Sequence, residues 1–370
     1  MTTAKERMLE VLSGRRLIPP PVVFHSWGGY KIQLAGWSPK FQHYLGGEEL
    51  AYIEMTFYQR FRPDWLHLGS AGWRGYWNRP RKCNGDNAFI ASSDGSKWIE
   101  ILDDYSLSDY ADVHSIEKTP VPSLESMTEI DEYFSAITLT EDQILESGRF
   151  EHVAILAKEI GGEVLIAVND GAPGSWIHGW RFEDMVIACV EKPDLVEYFI
   201  YKDCERFLTD VRAAKRAGAD AYIFSEGFAG SLDNISPEMH ERLEGNTKRW
   251  FYSQVRKIGM IPIGYWLGDV RPNMPIINGL DIAGLMIEES KKTFQLDPVE
   301  IRKILREDIC LFGNIDSALL LWGTPAQIQE IVKEHLKVAR YGTFVLANGS
   351  PLIPGTPTKN LDAYMRAAGR

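Results

Sequence analysis

Eight short apolar runs in this chain end on polar side chains, and those end residues carry most of the chemistry the sequence offers. In chain order they are His25 and Trp27; His67; Asn169 and Asp170; Glu226; Tyr265, Trp266 and Asp269; Glu288 and Glu289; Asn314 and Asp316; Asn348 and Ser350. Carboxylates gathered in an apolar setting repel one another unless a cation, a proton or a hydrogen-bond donor intervenes. Glu226 and Glu288 each directly follow a strongly apolar run, where an unpartnered glutamate is rare. With Asp269 they form the expected catalytic set. His25, Trp27, His67, Asn169, Tyr265, Trp266 and Asn348 are the expected substrate contacts. Plainer roles stand beside these: Asn314 and Asp316 as helix caps, His67 as a packed core histidine, Glu289 as the start of a solvated loop.

The runs are Val22–Ser26, Trp65–Gly69, Val164–Asp170, Ala221–Glu226, Ile261–Trp266, Ile282–Glu288, Ile309–Asp316 and Thr343–Asn348. Their nearly continuous hydrophobicity suits strands covered on both faces. Helical stretches lie between them. Pro193–Ala217 has proline at its start and Gly218 just past its end. Ser236–Ile258, Asp297–Glu307 and Thr324–Val338 open on Ser-Pro, Asp-Pro and Thr-Pro, which cap and start a helix. The alternation predicts an α/β fold, a single (β/α)8 TIM barrel over residues 1–370. An N-terminal amphipathic helix precedes it. A β-hairpin and loop insertion, about residues 73–150, follows the second strand. Two α/β domains meeting near residue 150 are the alternative.

In such barrels the site forms where strand C-termini meet the following loops. Aromatic residues crowd those expected loops: Trp27, Tyr30, Trp73, Tyr76, Trp77, Trp176, Trp180, Phe228, Tyr265 and Trp266. A ring-lined pocket suits a flat or apolar ligand. The chain has 40 Lys and Arg against 51 Asp and Glu, a formal charge of −11. That balance excludes a nucleic-acid or anionic-membrane partner. Cys83, Cys189, Cys204 and Cys310 form no CxxC pair, which points to reduced thiols and a cytoplasmic location. No apolar run reaches the roughly 18 residues of a membrane helix.

The segments GNIDSALLLWGTPAQIQEIVKEHL, GTFVLANGSPLIPGTPTKNLDAYMRA, AGADAYIFSEGFAGSLDNISPEMHERL and ERMLEVLSGRRLIPPPVVF resemble, in order, the uroporphyrinogen decarboxylase superfamily. The resemblance implies a TIM barrel with its site at the strand C-termini. Two branches differ at the site. The decarboxylases carry an arginine-rich segment after the first strand, where this chain has HSWGGYKIQLAGW; their Gly-His-Gly near the end is here Gly349-Ser350-Pro351. The other branch resembles methyltransferases that serve a corrinoid carrier protein. Members acting on coenzyme M hold zinc with a His-x-Cys pair and a later Cys. The matching positions here are Tyr265-Trp266-Leu267 and Ser317, so that thiolate set is absent.

The resemblance therefore implies a methyltransferase that moves a methyl group from an O-methyl, methoxyaromatic substrate to cobalt on a separate corrinoid protein. An ether oxygen leaves only when protonated or bound to a Lewis acid. Glu226 and Glu288 are the expected agents, either as ligands of a zinc ion with His25 or His67, or as a protonated acid. The partners expected are a corrinoid protein, a small-molecule methyl donor and a second copy in a homodimer. The alternatives are a decarboxylase or lyase of a small carboxylic acid, drawing on Lys31 or Arg271, and a silent binding scaffold.

Overall fold

The computed structural model describes residues 2–72, 74–109, 121–169, 171, 173–174, 177, 179–226 and 234–370. Asp170, Trp73, Trp176 and Phe228, named above, lie outside the described residues.

The body of the fold is a parallel sheet of seven strands: β1 (Trp65–Leu68), β5 (Leu165–Asn169), β6 (Ala221–Glu226), β7 (Ile261–Trp266), β8 (Gly284–Ile287), β9 (Cys310–Ile315) and β10 (Phe344–Asn348), adjacent in that order. All six pairings are parallel. The strand expected at Val22–Ser26 is an extended segment with one ladder position, Val22 opposite Leu346. It nevertheless occupies the place between β10 and β1. Val23 N–H donates to the Leu346 carbonyl and Leu346 N–H to that of Pro21, each at 2.9 Å, while Asp64 N–H donates to the Val22 carbonyl at 2.8 Å. Pro19, Pro20 and Pro21 have no N–H to donate, so the ladder cannot extend backwards. Seven strands and this segment make the α/β barrel.

Two apolar clusters show its layering. Met8, Val11 and Leu12 pack with Val23, Trp65, Leu165, Ala167, Ile223, Ile263, Met286, Phe312 and Val345 in the lumen. Leu66, Ile166, Val168, Tyr222, Phe224, Trp266, Leu285 and Leu346 belong to the larger cluster shared with the surrounding helices. Residues alternate between the two along each strand, as a period of two requires. The N-terminal helix Ala4–Leu12, capped by Thr3 and Glu6, closes the strand N-terminal end. Lys5 ties it there, its ammonium 2.7 Å from Asp220, which precedes β6.

The insertion between β1 and β5 holds a three-stranded antiparallel sheet rather than a hairpin: β2 (Arg81–Asn84), β3 (Asn87–Ala91) and β4 (Trp98–Ile101). Helices Met127–Ile137 and Glu141–Glu146 stand in the stretch expected as loops and a short helix, and Glu151–Ile160 follows it. The helix expected over Ser236–Ile258 is interrupted by a π turn at Glu241–Gly245. Among the described residues no helix is long and apolar enough to cross a membrane.

Asn348 fastens the barrel at its closure. Its side-chain carbonyl accepts from His25 N–H at 2.9 Å, and its amide donates to the carbonyls of His25 at 3.0 Å and Ser350 at 2.7 Å. Asn348→Ala would leave these buried groups unpaired, and should cost about 1–3 kcal/mol in guanidinium unfolding; a change near zero would show that the closure does not depend on it.

Candidate active site

Strand parity decides which end residues meet at the barrel mouth. On the lumen side stand His25, His67 of β1, Asn169 of β5, Ser225 of β6 and Tyr265 of β7. The His25 and His67 rings stack, centroids 4.9 Å apart and 20° from parallel, and Tyr265 meets His25 edge-on at 4.6 Å. Above them opens a cavity of about 480 Å³, walled by Trp27, Ile32, Leu50, Glu54, His152, Asn169, Ser225, Tyr265 and Leu267 among others. No Lys or Arg is among the described residues that line it.

Three histidines beside the cavity, His25, His67 and His152, are buried and neutral, while His43 at its edge is exposed. His25 is pushed down to about 4 by burial, against the pull of the Gly349 carbonyl, which accepts from Nδ1 at 2.9 Å. His152, whose Nε2 meets the Gly69 carbonyl at 2.7 Å, is likewise lowered to about 4 by burial. His67 is driven well below its usual value by burial, with His25 and Lys31 adding to the effect. Nε2 of His25 and both ring nitrogens of His67 have no protein partner.

A buried ion pair stands behind the wall. Lys31, on helix Gly29–Leu34, donates to Glu54 of helix Gly47–Phe61 at 2.6 Å and to the His67 carbonyl at 2.7 Å. Burial presses Lys31 down and Glu54 up, each toward its neutral form, while their mutual attraction opposes both shifts. On the far rim the Ser350 hydroxyl donates to Glu289, 2.8 Å from each carboxylate oxygen, and Lys291 pairs with the same carboxylate. Glu289 is therefore buried and partnered, not the opening of a solvated loop.

Several expected site residues stand elsewhere. Glu226 shares the parity of Tyr222 and Phe224 and points to the helices. Both its oxygens meet the Lys248 ammonium, at 2.9 and 3.1 Å, and Tyr252 donates to it at 2.5 Å. Trp266 points the same way and packs toward His240, centroids 6.0 Å apart. Glu288 stays at the rim, accepting from Gly268 N–H at 2.8 Å. Asp269 is bound by Arg271 in an exposed pair and is not a lining residue. Asn348 is the structural clamp described above. Asp316 caps the helix Ser317–Trp322 through Ala318 N–H at 2.7 Å, as its plainer reading had it.

The donor set does not fit a zinc ion. Glu226 and Glu288 are engaged by separate partners on opposite sides of the strand layer. Among the described residues, no three His, Cys, Asp or Glu side chains gather as a metal-binding group. Near-parallel stacking also keeps the in-plane lone pairs of His25 and His67 from converging on one ion.

Sequence reasoning missed Glu54, Lys31 as its partner, and His152. A signal was available for Glu54. It falls on the apolar stripe of Ala51, Phe57, Tyr58 and Phe61, where a carboxylate has no place without a function or a partner. His152 sits likewise among Val153 and Leu156.

Fold and mouth together define an α/β-barrel protein with a ligand cavity at the C-terminal ends of its strands. Residues 111–370 match the profile of the family described as uroporphyrinogen decarboxylase (URO-D), and the chain belongs to that family. Methylcobamide:CoM methyltransferase MtaA of Methanosarcina barkeri is 28% identical over 178 residues, covering 48% of this chain and 50% of that protein. Uroporphyrinogen decarboxylase of Synechococcus sp. (strain CC9605) is 22% identical over 227 residues, covering 57% of this chain and 60% of that one. The chain thus spans about half the length of the curated relatives it matches. A solved structure of a methyltransferase from Methanosarcina mazei superposes with a TM-score of 0.73 at 19% identity, covering 100% of this chain and 99% of the other, and shares the fold.

Two predictions follow from the buried charges. The unfolded chain protonates its histidines below about pH 6.5, whereas His25 and His152 stay neutral down to about 4 in the fold. Their stabilising contribution is whole above pH 6.5 and falls as the pH drops from there toward 4. Each should add a slope of up to about 1.4 kcal/mol per pH unit. Guanidinium unfolding at pH 7, 6 and 5 measures it, and His152→Gln should flatten it. His240 works in the other direction: burial would lower it, but Glu244 and Glu226 hold it above its usual value, so it stays protonated in this window. Behind β6, Lys248→Met would strand Glu226 without its cation and should cost about 3–5 kcal/mol. Adding Glu226→Gln should recover part of that loss.

Proposed function

We propose that this protein is a methyltransferase that detaches the methyl group of a methoxyaromatic compound and passes it to the cobalt of a separate corrinoid protein. The observation that carries this reading is the cavity itself. It has room for a substituted arene, its walls include Trp27, Tyr265, Leu267 and Ile32, and no cation is among its described lining residues. A porphyrinogen bearing many carboxylates, or a small acid awaiting decarboxylation, needs a counter-charge that this lining lacks. The similarity to a methylcobamide:CoM methyltransferase over 48% of the chain supports the corrinoid half of the reading.

The choice of an ether as methyl donor rests on what replaces the thiol-activating set. Tyr265 and Leu267 stand in the lumen wall, and Ser317 is buried and donates to the Ser350 carbonyl. These residues offer no soft ligand, so thiol activation by zinc has no counterpart here. They do offer hydroxyl donors and an apolar face suited to an aromatic ether. The cavity wall holds the ring of the donor, over a floor of neutral histidines. The carboxyls expected at Glu226 and Glu288 do not perform the activation in this reading. A cytoplasmic location belongs to the same proposal.

The test is to mix the purified protein with a corrinoid protein reduced to Co(I) and a panel of methoxyarenes, and to follow the absorbance change from Co(I) to methylcobalamin. Conversion with a methoxyarene and none with a methylated thiol is the expected result. No conversion with any methyl donor, or release of CO₂ from a carboxylic acid without corrinoid, would overturn it.

A further inference from the structure

We propose that the buried Lys31–Glu54 pair is the acid of this site, with the proton of Lys31 passing through Glu54 to the departing oxygen. This rests on the methyl-transfer reading above for its reaction, and on the geometry of the pair for its assignment.

Only one member of the pair meets a ligand. Glu54 is in the cavity wall, while Lys31 lies behind it. The ammonium is held on three sides: Glu54 at 2.6 Å, the His67 carbonyl at 2.7 Å, and the face of Phe57 with its centroid 5.1 Å away. The other titratable groups that sense Lys31 are His25, His67 and His152, all neutral. The pair holds one transferable proton across a 2.6 Å bond.

The cavity gives that proton a use. Heterolysis of an ether leaves its electron pair on oxygen. A phenolate would then stand in a space with no cation among its described lining residues, an unfavourable place for a buried charge. Protonation as the bond breaks lets the product leave as a neutral phenol. The balance is complete. The C–O bond breaks, and the methyl carbon bonds to Co(I) of the partner's corrinoid, which supplies both electrons and becomes methyl-Co(III). The Lys31 ammonium passes its proton across the 2.6 Å bond to Glu54, Glu54 passes it on to the oxygen and is left a carboxylate, and a proton from water restores the lysine once the phenol has gone. Burial, which favours the neutral form of both groups, makes the pair a readier donor than the same residues in water.

A purely structural pair predicts something else. Buried ion pairs can often be exchanged for apolar residues of like volume without loss of stability. Such a role would let the double variant Lys31→Met with Glu54→Leu act normally wherever it folds. Tyr265 is the rival donor across the cavity, with the Ser350 hydroxyl within its reach. Its phenol is raised by burial and by the charges of Glu288 and Glu289, which makes it a durable hydrogen-bond donor and a poor source of protons.

Two measurements test the assignment. The first compares 4-methylanisole, whose phenolate needs a proton to leave, with 4-nitroanisole, whose phenolate does not. With the corrinoid protein present, Glu54→Gln should lower kcat about 100-fold or more on the first and far less on the second, with KM little changed. The folded double variant should behave alike. Equal losses on both ethers, a loss confined to KM, or the leaving-group dependence moving to Tyr265→Phe would each overturn the proposal. The second needs no corrinoid. At pH 8 the wild-type chain should bleach the yellow 4-nitrophenolate on binding, because the pair protonates it, and Glu54→Gln should bind it without bleaching. Bleaching without methyl transfer would leave the acid in place and refute the transfer reading. Binding to the wild type without bleaching would refute the acid.

Discussion

One step along a barrel strand turns a side chain from the lumen to the helices, and the consequences at this site follow from that reversal. Ser225 reaches the cavity and Glu226 does not; Tyr265 does and Trp266 does not. A carboxylate sent outward at the end of β6 needs a cation in the helical layer. The π turn at Glu241–Gly245 precedes the helix that provides Lys248 and Tyr252. The same cation accepts no competitor from the lumen, since Lys248 spends its remaining reach on the Pro173 carbonyl at 2.7 Å and on Glu244. What looks in the sequence like a site carboxylate is a strut between strand, helix and the loop after β5.

The lumen is kept uncharged by the same logic. Its histidines lose their protons to burial, and the Lys31–Glu54 pair at its edge is closed on itself. At the rim Lys291 meets Glu288 and Glu289. A neutral interior of low polarity strengthens each remaining dipole, so a single mobile proton there weighs more than it would in water.

The architecture was largely legible. Apolar runs bounded by capped helices gave the strands in order, and Pro193–Ala217 appears with its expected ends. The departures have local causes. Three successive prolines reduce the first strand to one ladder position. The insertion adds a third strand because Arg81–Asn84 pairs along the other edge of β3. The site was legible in part. His25, His67, Asn169 and Tyr265 fall at the mouth as strand-end position implies. Parity was hidden, because runs buried on both faces show no alternation from which to read it. Glu54 was hidden differently: it comes from a helix before β1, where reasoning about strand ends does not look.

The helix at the chain's beginning gives the molecule a floor. Met8, Val11 and Leu12 fill the narrow end of the barrel, so the chamber does not open there. A ligand in the cavity therefore has that stopper at its back: it cannot pass through the barrel, and it must arrive and depart on the side of the strand C-termini.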